Sequence, residues 1–276
     1  MVRNIYTPLR YPGGKGSLGR FMRQIFIDNK LLDGSYVEPY AGGAAIGLEL
    51  LLTDYARNIW LNDIDKSIYA FWYSILNHTK EFLLKVKNVP LNIEEWHKQK
   101  SIYENAESND LLTLGFASFF LNRTNRSGIL TAGPIGGISQ SGNWQIDARF
   151  NREKLCERIE RISQYKHRIN LSNEDAETFL KNIDLPTRSL VYLDPPYFHK
   201  GQRLYKNHYF PSDHERISRL VQKNLPYYWI VSYDDTSEIS DFYKERRQIN
   251  FSLPYSAQTK RLGSELLIFC DHIVLN

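Results

Sequence analysis

The chain has 276 residues, of which 42% are hydrophobic and 24% charged, and its formal net charge is +4. This length accommodates one α/β catalytic domain with an insertion and excludes two large domains. No apolar run approaches the ~20 residues that a membrane-spanning helix needs, and residues 1–9 lack the apolar core of a signal peptide. We therefore expect a cytoplasmic protein that makes no membrane contact.

Strand and helix patterns alternate along most of the chain. Strands are predicted, in chain order, at residues 35–38, 58–61, 189–193, 227–233, 248–253 and 265–270, and helices at 44–52, 68–84 and 213–223. Such alternation predicts an α/β fold with a mostly parallel, doubly wound sheet.

One long stretch, residues 68–168, interrupts this alternation. It begins with a helical pattern and becomes loop-like at the glycine- and proline-rich residues 131–137. We expect residues 1–67 and 169–276 to form the catalytic domain, and residues 68–168 to form a mainly helical inserted domain.

The second half of this insertion is basic. The stretch from Asn122 to Arg168 contains nine lysines and arginines but four acidic residues. Such a stretch can follow a phosphate backbone. It can equally form a solvated helix face, because the charges around Glu157 and Arg158 alternate in sign. Charge alone leaves both interpretations open.

The two cysteines, Cys156 and Cys270, lie outside any CxxC or Cys/His cluster, and the seven histidines form no HExxH or HxH motif. This pattern argues against a disulfide framework and against a metal held by the protein. We expect both thiols to be buried or half-buried, as is usual for free cysteine.

The sharpest motif is Asp194-Pro195-Pro196-Tyr197, which ends an apolar strand. In an open α/β sheet, ligands bind beyond the carboxyl ends of the strands. A carboxylate and a backbone carbonyl only accept hydrogen bonds, so together they suit an aromatic amine such as the exocyclic nitrogen of adenine. The prolines stiffen the loop, and Tyr197 offers a ring on which a flipped base can stack. The structural alternative is a turn in which Asp194 caps the following segment.

Two further motifs follow the first and second strands. Val37 to Ala45 combines an acid, Glu38, with glycines such as Gly42 that let a backbone approach a cofactor closely. Glu38 suits a cofactor with a cationic methionine moiety. In Asn62-Asp63-Ile64-Asp65, one carboxylate can bind ribose hydroxyls and the other can cap the next helix; we favour Asp63 for the ribose.

A glycine-rich turn near the N-terminus, residues 9–17, carries Tyr11 and Lys15. It is not a P-loop, because Gly16 rather than Ser or Thr follows Lys15 and Leu9 stands in place of the first glycine. Lys15 can instead meet a carboxylate, and Tyr11 can lie against a cofactor.

Taken in this order, the four motifs resemble the DNA adenine methylase family, the Dam-like enzymes in the alpha group of amino-methyltransferases. Residues 120–128 and 262–267 also look like family segments. The resemblance implies a Rossmann-like methyltransferase sheet with a helical target-recognition insertion. Its implied cofactor is S-adenosyl-L-methionine and its implied substrate is double-stranded DNA, with the target adenine flipped out.

The resemblance also assigns roles to residues. The cofactor contacts that it implies are Tyr11, Lys15, Asp63 and Asp194, and the motif after the first strand adds Glu38 and Gly42 as candidates. The methylated amine would lie against Asp194 and the Pro195 carbonyl, with Tyr197 stacked on the base. Candidates for DNA contact in the insertion are Asn122, Arg123, Asn125 and Arg126. One departure is Ala44, which stands where many methyltransferases have glycine.

Several alternatives stay open at this point. The same chemistry could act on RNA adenine or on cytosine N4, and a non-catalytic DNA-binding regulator could retain the fold. The sequence also leaves open a cognate restriction endonuclease as partner, the target sequence and the oligomeric state.

Overall fold

The computed structural model describes residues 6–10, 15–198, 209–255 and 261–276, with the backbone alone for 252–255 and 261–264. The chain divides into two compact units. The sheet unit contains Lys15–Ile64 and Arg168–Asn276, and the helical unit contains Asp65–His167 with the described part of Met1–Gly14. Within these described ranges, no helix is long and apolar enough to cross a membrane.

A seven-stranded sheet organises the sheet unit. Its strands are β1 (Gly34–Glu38), β2 (Ala56–Asn62), β3 (Ile169–Ser172), β4 (Ser189–Leu193), β5 (Tyr228–Asp234), β6 (Arg247–Tyr255) and β7 (Arg261–Phe269). Their order is β3-β2-β1-β4-β5-β7-β6; β1 to β5 pair in parallel, and β7 is antiparallel to both of its neighbours. The predicted α/β fold with a mostly parallel sheet is confirmed.

The helices of this unit are α1 (Gly19–Asp28), α2 (Ala45–Leu52), α8 (Ala176–Asn182), α9 (Pro211–Asn224) and α10 (Ser237–Phe242). The central strands β1 and β4 are buried at every position, as expected for parallel strands covered on both faces. Strand order reverses between β1 and β4, since β2 and β3 lie to one side and β5 to the other. Such a switch point opens a crevice at the carboxyl ends of the strands, where Glu38 and Asp194 stand.

The helical unit comprises α3 (Lys66–Asn77), α4 (Thr79–Asn88), α5 (Ile93–Glu104), α6 (Leu111–Thr124) and α7 (Arg152–Gln164). Buried aromatic rings form its core; Phe71 and Phe119 stack with their ring centroids 5.8 Å apart. Gly115 allows α6 to approach α3 closely, because a Cβ there would lie 2.3 Å from the Ala70 carbonyl oxygen. The helix predicted at 68–84 is in fact two helices, which meet at His78.

Between α6 and α7 the chain forms mostly turns. It contains a short 3-10 turn at Arg126–Gly128 and an isolated bridge between Asn125 and Pro134. The predicted loop at residues 131–137 is therefore confirmed. The interpretation of residues 68–168 as a target-recognition domain stays a prediction.

Candidate active site

Asp194 follows β4 and is held by two neighbours within the sheet unit. Its Oδ1 accepts hydrogen bonds from Lys15 Nζ at 2.9 Å and from Ser232 Oγ at 2.8 Å. Its Oδ2 accepts a longer bond of 3.2 Å from Lys15 Nζ. These hydrogen bonds hold the carboxylate in place, and because 24% of the side chain is exposed, one side of it stays open to solvent. Such a carboxylate is oriented before any substrate arrives.

The Lys15 ammonium is buried between two carboxylates. Its residue is 4% exposed, and Nζ also lies 3.3 Å from Glu265 Oε2. Burial alone would lower the pKa of Lys15, but Asp194 and Glu265 together outweigh burial and raise it above its ordinary value. Lys15 therefore stays charged and cannot take up a proton at neutral pH.

Tyr197 belongs to the same buried network. Its hydroxyl donates to Glu265 Oε1 at 2.8 Å and accepts from Lys15 Nζ at 3.2 Å, and the ammonium lies 5.0 Å from the ring centroid. Only 5% of Tyr197 is exposed. The Tyr197 hydroxyl thus connects Lys15 with Glu265 in this structure. The stacking of Tyr197 on a substrate base stays a prediction.

The loop after β4 is also anchored to β5. Tyr192 and Ser232 share a hydrogen bond of 2.8 Å between their hydroxyl oxygens. Because the Ser232 proton points to Asp194, Tyr192 is the donor in that bond. Further along the loop, the backbone N–H of Phe198 donates to Asp234 Oδ1 at 2.9 Å. These bonds fix the loop on both sides of Pro195 and Pro196, of which Pro195 is buried and Pro196 half-buried.

Glu38, at the end of β1, is a buried acid. It is 5% exposed, and its Oε1 accepts from the backbone N–H of Gly47 at 3.1 Å. Burial raises the pKa of Glu38 to about 8; the Gly47 N–H lowers it in part, and the charge of Asp194 raises it further. The carboxyl is therefore largely protonated at neutral pH, and a cation bound nearby would favour its ionised form.

The loop after β1 approaches the carboxylate that follows β2. The N–H of Gly42 donates to Asp63 Oδ2 at 2.9 Å, and Gly42 has a left-handed backbone with φ of 46°. Ala44 shares this conformation, with φ of 45° and ψ of 36°, directly before α2. Alanine adopts this conformation at a cost that glycine avoids.

Asn62 connects three loops at this edge of the sheet. Its amide is fully buried, and Nδ2 donates to the Pro39 and Glu174 carbonyls at 3.0 Å each. Its Oδ1 accepts from Ser172 Oγ and from the Glu174 N–H. Asn62 thus ties the ends of β1, β2 and β3 together and keeps Asp63 at the rim.

Two further cofactor candidates, Tyr11 and Asp65, differ in what the structure shows of them. Tyr11 lies outside the described residues. Asp65 caps α3, because its Oδ1 accepts from the N–H of Ser67 at 2.9 Å. This leaves Asp63 as the candidate for the ribose hydroxyls, a role that stays a prediction.

The two asparagines predicted to contact DNA are buried within the helical unit. Asn122 is 1% exposed; its Oδ1 accepts from the Arg10 N–H, and its Nδ2 donates to the Arg10 and Gly128 carbonyls. Asn125 is 0% exposed; its Oδ1 accepts from Trp96 Nε1. Its Nδ2 donates to two loop carbonyls at 3.0 Å each. Both amides are committed to the fold, so we revise their predicted role from DNA contact to shaping the loop.

The two arginines of that motif remain accessible. Arg123 is half-buried on α6, and Arg126 is exposed just beyond it. Neither forms an ion pair within the ranges that the structure covers. Their contact with DNA stays a prediction.

Cysteine chemistry is not prepared anywhere in the described chain. Cys156 and Cys270 are both buried and free, as predicted. Burial raises the pKa of each thiol, which disfavours the thiolate that a nucleophilic mechanism needs.

Sequence reasoning missed three residues of the site: Glu265, Ser232 and Tyr192. Glu265 is fully buried in the strand β7 and carries a charge, which is uncommon for a strand interior. A glutamate within an apolar β run was the available indication of a functional partner.

The chain has identifiable relatives. The family model for D12 class N6 adenine-specific DNA methyltransferases matches residues 11–261. The Type II methyltransferase M.MjaIII of Methanocaldococcus jannaschii is 22% identical over 205 residues, which is 68% of each chain.

Solved structures are similar at lower identity. A proposed RNA methyltransferase from Pyrococcus horikoshii is 11% identical, with a TM-score of 0.43 over 95% of this chain and 85% of its own. A proposed methylase from Haemophilus influenzae is 13% identical, with a TM-score of 0.36 over 93% of this chain and 98% of its own. Because the family model spans most of the sequence, the chain belongs to the D12 class of N6 adenine-specific DNA methyltransferases.

Proposed function

We propose that this enzyme transfers a methyl group from S-adenosyl-L-methionine to the N6 amine of an adenine flipped out of duplex DNA. The observation that carries the proposal is Asp194, preoriented at the switch point of the sheet by Lys15 and Ser232. Its Oδ2 accepts only a 3.2 Å bond from Lys15 among the described residues and has capacity for another donor.

The rim of the sheet has groups that fit the donor. Asp63 can accept hydrogen bonds from two ribose hydroxyls, as acids do at this position in nucleotide-binding α/β folds. Glu38 is largely protonated without a ligand, and a cation bound near Glu38 and Asp194 would favour its ionised form. When bound, S-adenosyl-L-methionine supplies an electrophilic methyl group on a sulfonium and a second positive charge on its ammonium.

The protein's part in the reaction is to orient the amine. Asp194 and the Pro195 carbonyl accept the two N6 hydrogens, which draws the nitrogen lone pair out of the ring and toward the methyl. One of these protons is lost once the nitrogen has formed its new bond to carbon. Lys15 is not the acceptor, because its raised pKa keeps it protonated. Asp194 or water on its open side takes that proton.

Base flipping follows from the geometry of duplex DNA. Within the helix, the N6 amine of adenine is paired and stacked, so a carboxylate held at the end of a strand cannot reach it. The extruded base needs an apolar face. Tyr197 provides one after a local shift that exposes its ring, which lies beneath Lys15 in this structure.

The test is the variant Asp194→Asn, assayed by tritiated methyl transfer into duplex DNA. Asparagine keeps the shape but removes the charge and one acceptor, so we expect kcat to fall by about 10²- to 10³-fold. Asp184→Asn, at an exposed position, is the matched control and should keep wild-type activity. A fully active Asp194→Asn enzyme would refute the role of this carboxylate.

Substrate competition tests the rest of the proposal. Duplex DNA should receive the label in preference to an RNA of the same sequence. DNA in which every adenine is already N6-methylated should accept almost none. Preferential labelling of RNA, or equal labelling of the premethylated duplex, would redirect the proposal to another amine.

A further inference from the structure

Three arginines gather around Arg123 in the helical unit, which makes a cluster of four. Arg10 comes from the N-terminal segment, Arg123 from the last turn of α6, Arg149 from the loop before α7, and Arg158 from α7 itself. They are separated by up to 148 residues in the sequence, so folding alone brings them together. The basic stretch from Asn122 to Arg168 contains Arg123, Arg149 and Arg158, but no sequence motif predicts that Arg10 lies beside them.

Asn122 and Gly128 place Arg10. The Asn122 amide binds the Arg10 backbone in both directions, accepting from its N–H at 2.7 Å and donating to its carbonyl at 2.8 Å. A Cβ at Gly128 would lie 2.2 Å from that carbonyl oxygen, so only glycine allows this approach. The Arg10 guanidinium then reaches the Asn125 carbonyl at 3.4 Å.

Two more contacts complete the arrangement. Arg123 Nε donates to the Arg149 carbonyl at 2.8 Å, and Nη2 donates to the same oxygen. Arg158 Nη1 donates to the Thr7 carbonyl at 3.3 Å, on the segment that carries Arg10. All of these acceptors are backbone carbonyls, which orient the guanidinium groups but do not neutralise their charge.

The positive charges remain uncompensated. None of the four forms an ion pair with a carboxylate in the described parts of the chain. Burial and the charges of Arg10, Arg158 and Arg149 lower the pKa of Arg123 to about 9. Glu157 acts electrostatically on Arg158 but makes no ion pair with it.

Arg152, nearby on α7, shows what a structural arginine looks like in the same unit. Its two terminal nitrogens donate to the Val86 and Val89 carbonyls at the end of α4, and its guanidinium lies over the Phe150 ring. Arg152 thus caps the carbonyl end of α4. The cluster around Arg123 instead brings like charges together, and a bound anion would offset their electrostatic repulsion.

We propose that Arg10, Arg123, Arg149 and Arg158 form a phosphate-binding site for the backbone of duplex DNA. Arg149 is exposed and the other three are half-buried, so the charge faces solvent rather than an enclosed cavity suited to a small free anion. Phosphate contacts of this kind position a protein on DNA without reading its sequence. The identity of the ligand rests on the proposed function; the arginine cluster itself does not.

The experiment measures duplex DNA binding by fluorescence anisotropy over a range of salt concentrations, using Arg149→Gln, Arg158→Gln and the double variant. Each lost phosphate contact should lower the slope of log K against log salt by about 0.9, equally for duplexes of different sequence. Arg149→Gln is the cleanest variant, because Arg123 binds the backbone carbonyl of residue 149 and not its side chain. Lys223→Gln removes an exposed charge from the sheet unit and should leave the slope unchanged.

Folding effects are separated by Arg158→Lys, which keeps the charge and should keep most of the slope. A double variant that melts like the wild type yet retains the full slope would overturn the proposal. So would a melting shift with inorganic phosphate that Arg149→Gln abolishes while the DNA slope stays intact, since that would assign the cluster to a free anion.

Failure of the site and failure of the proposed function are distinguishable. Asp194→Asn should keep the wild-type slope while losing methyl transfer. A protein that methylates DNA but shows unchanged slopes in the arginine variants has a function without this site. Reduced slopes in a protein that transfers no methyl group would leave the site standing without the function.

Discussion

Two charged clusters in this molecule differ in whether their charges are paired with opposite charges. In the sheet unit, buried Lys15 lies within 3.3 Å of both Asp194 and Glu265, so the charges compensate one another and hold the site rigid. In the helical unit, three arginines surround Arg123, and the guanidinium groups of Arg10, Arg123 and Arg158 donate to backbone carbonyls. The first arrangement suits a reaction that needs a preoriented acceptor, and the second suits a surface that is completed by a polyanion.

The largest effect should come from removing the cation of the sheet unit. Lys15→Met leaves the carboxylates of Asp194 and Glu265 without their shared cation, so we expect the free energy of unfolding to fall by about 3–5 kcal/mol. Methyl transfer should be lost as well. Chemical denaturation followed by fluorescence measures the stability.

A second variant guards this prediction against trivial unfolding. Adding Glu265→Gln to Lys15→Met removes one of the uncompensated acids and should restore part of the lost stability. If the double variant is no more stable than Lys15→Met alone, the Lys15 ammonium does not offset the negative charge of Glu265. The proposed charge balance among Lys15, Asp194 and Glu265 would then be wrong.

An intermediate effect on stability, which depends on pH, should come from Glu38, a buried acid of the sheet unit. Its pKa of about 8 lies above that of an exposed glutamate, so the folded state holds a proton that the unfolded state has lost. This contribution is present below about pH 4, the ordinary glutamate range, and is lost as pH rises toward 8. Stability should therefore decline between pH 5 and pH 8 because of this group.

Glu38→Gln is the matched variant, because glutamine imitates the neutral acid and keeps an acceptor for the Gly47 N–H. Its stability should vary less with pH over that window than the stability of the wild type. Denaturant titrations at several pH values measure the difference. Parallel pH profiles for the two proteins would show that Glu38 does not titrate as described.

The smallest effect concerns backbone strain at the rim. Ala44 has a left-handed backbone with φ of 45°, so Ala44→Gly should stabilise the protein or leave it unchanged, within about 1 kcal/mol. Ala45→Gly, at the first residue of α2, is the control and should destabilise by about 0.5–1 kcal/mol. Thermal melts compare the two variants; equal destabilisation by both would mean that the conformation at residue 44 carries no strain.

The sequence predicted the parts of the site that follow the first, second and fourth strands. Parallel strands bring their carboxyl ends to one edge, so the loops holding Glu38, Asp63 and Asp194 had to meet there once the sheet was assumed. It did not predict Glu265 or Ser232. Both lie on strands at the other side of β4, and the antiparallel pairing of β7 decides which of its residues reach Lys15.

The DNA-contacting candidates illustrate a second limit. Asn122 and Asn125 are polar residues in a basic segment, a pattern typical of nucleic-acid contacts. Their amides instead satisfy backbone groups of the loop, which only the fold reveals. The break at His78 was likewise missed, since the apolar periodicity continues from α3 into α4.

The central claim is that Asp194 orients the N6 amine of adenine. Its most direct test is mass spectrometry of nucleosides from plasmid DNA incubated with the enzyme and S-adenosyl-L-methionine. We expect N6-methyladenine with the wild-type enzyme and almost none with Asp194→Asn. N4-methylcytosine as the product, or undiminished N6-methyladenine from the variant, would contradict it.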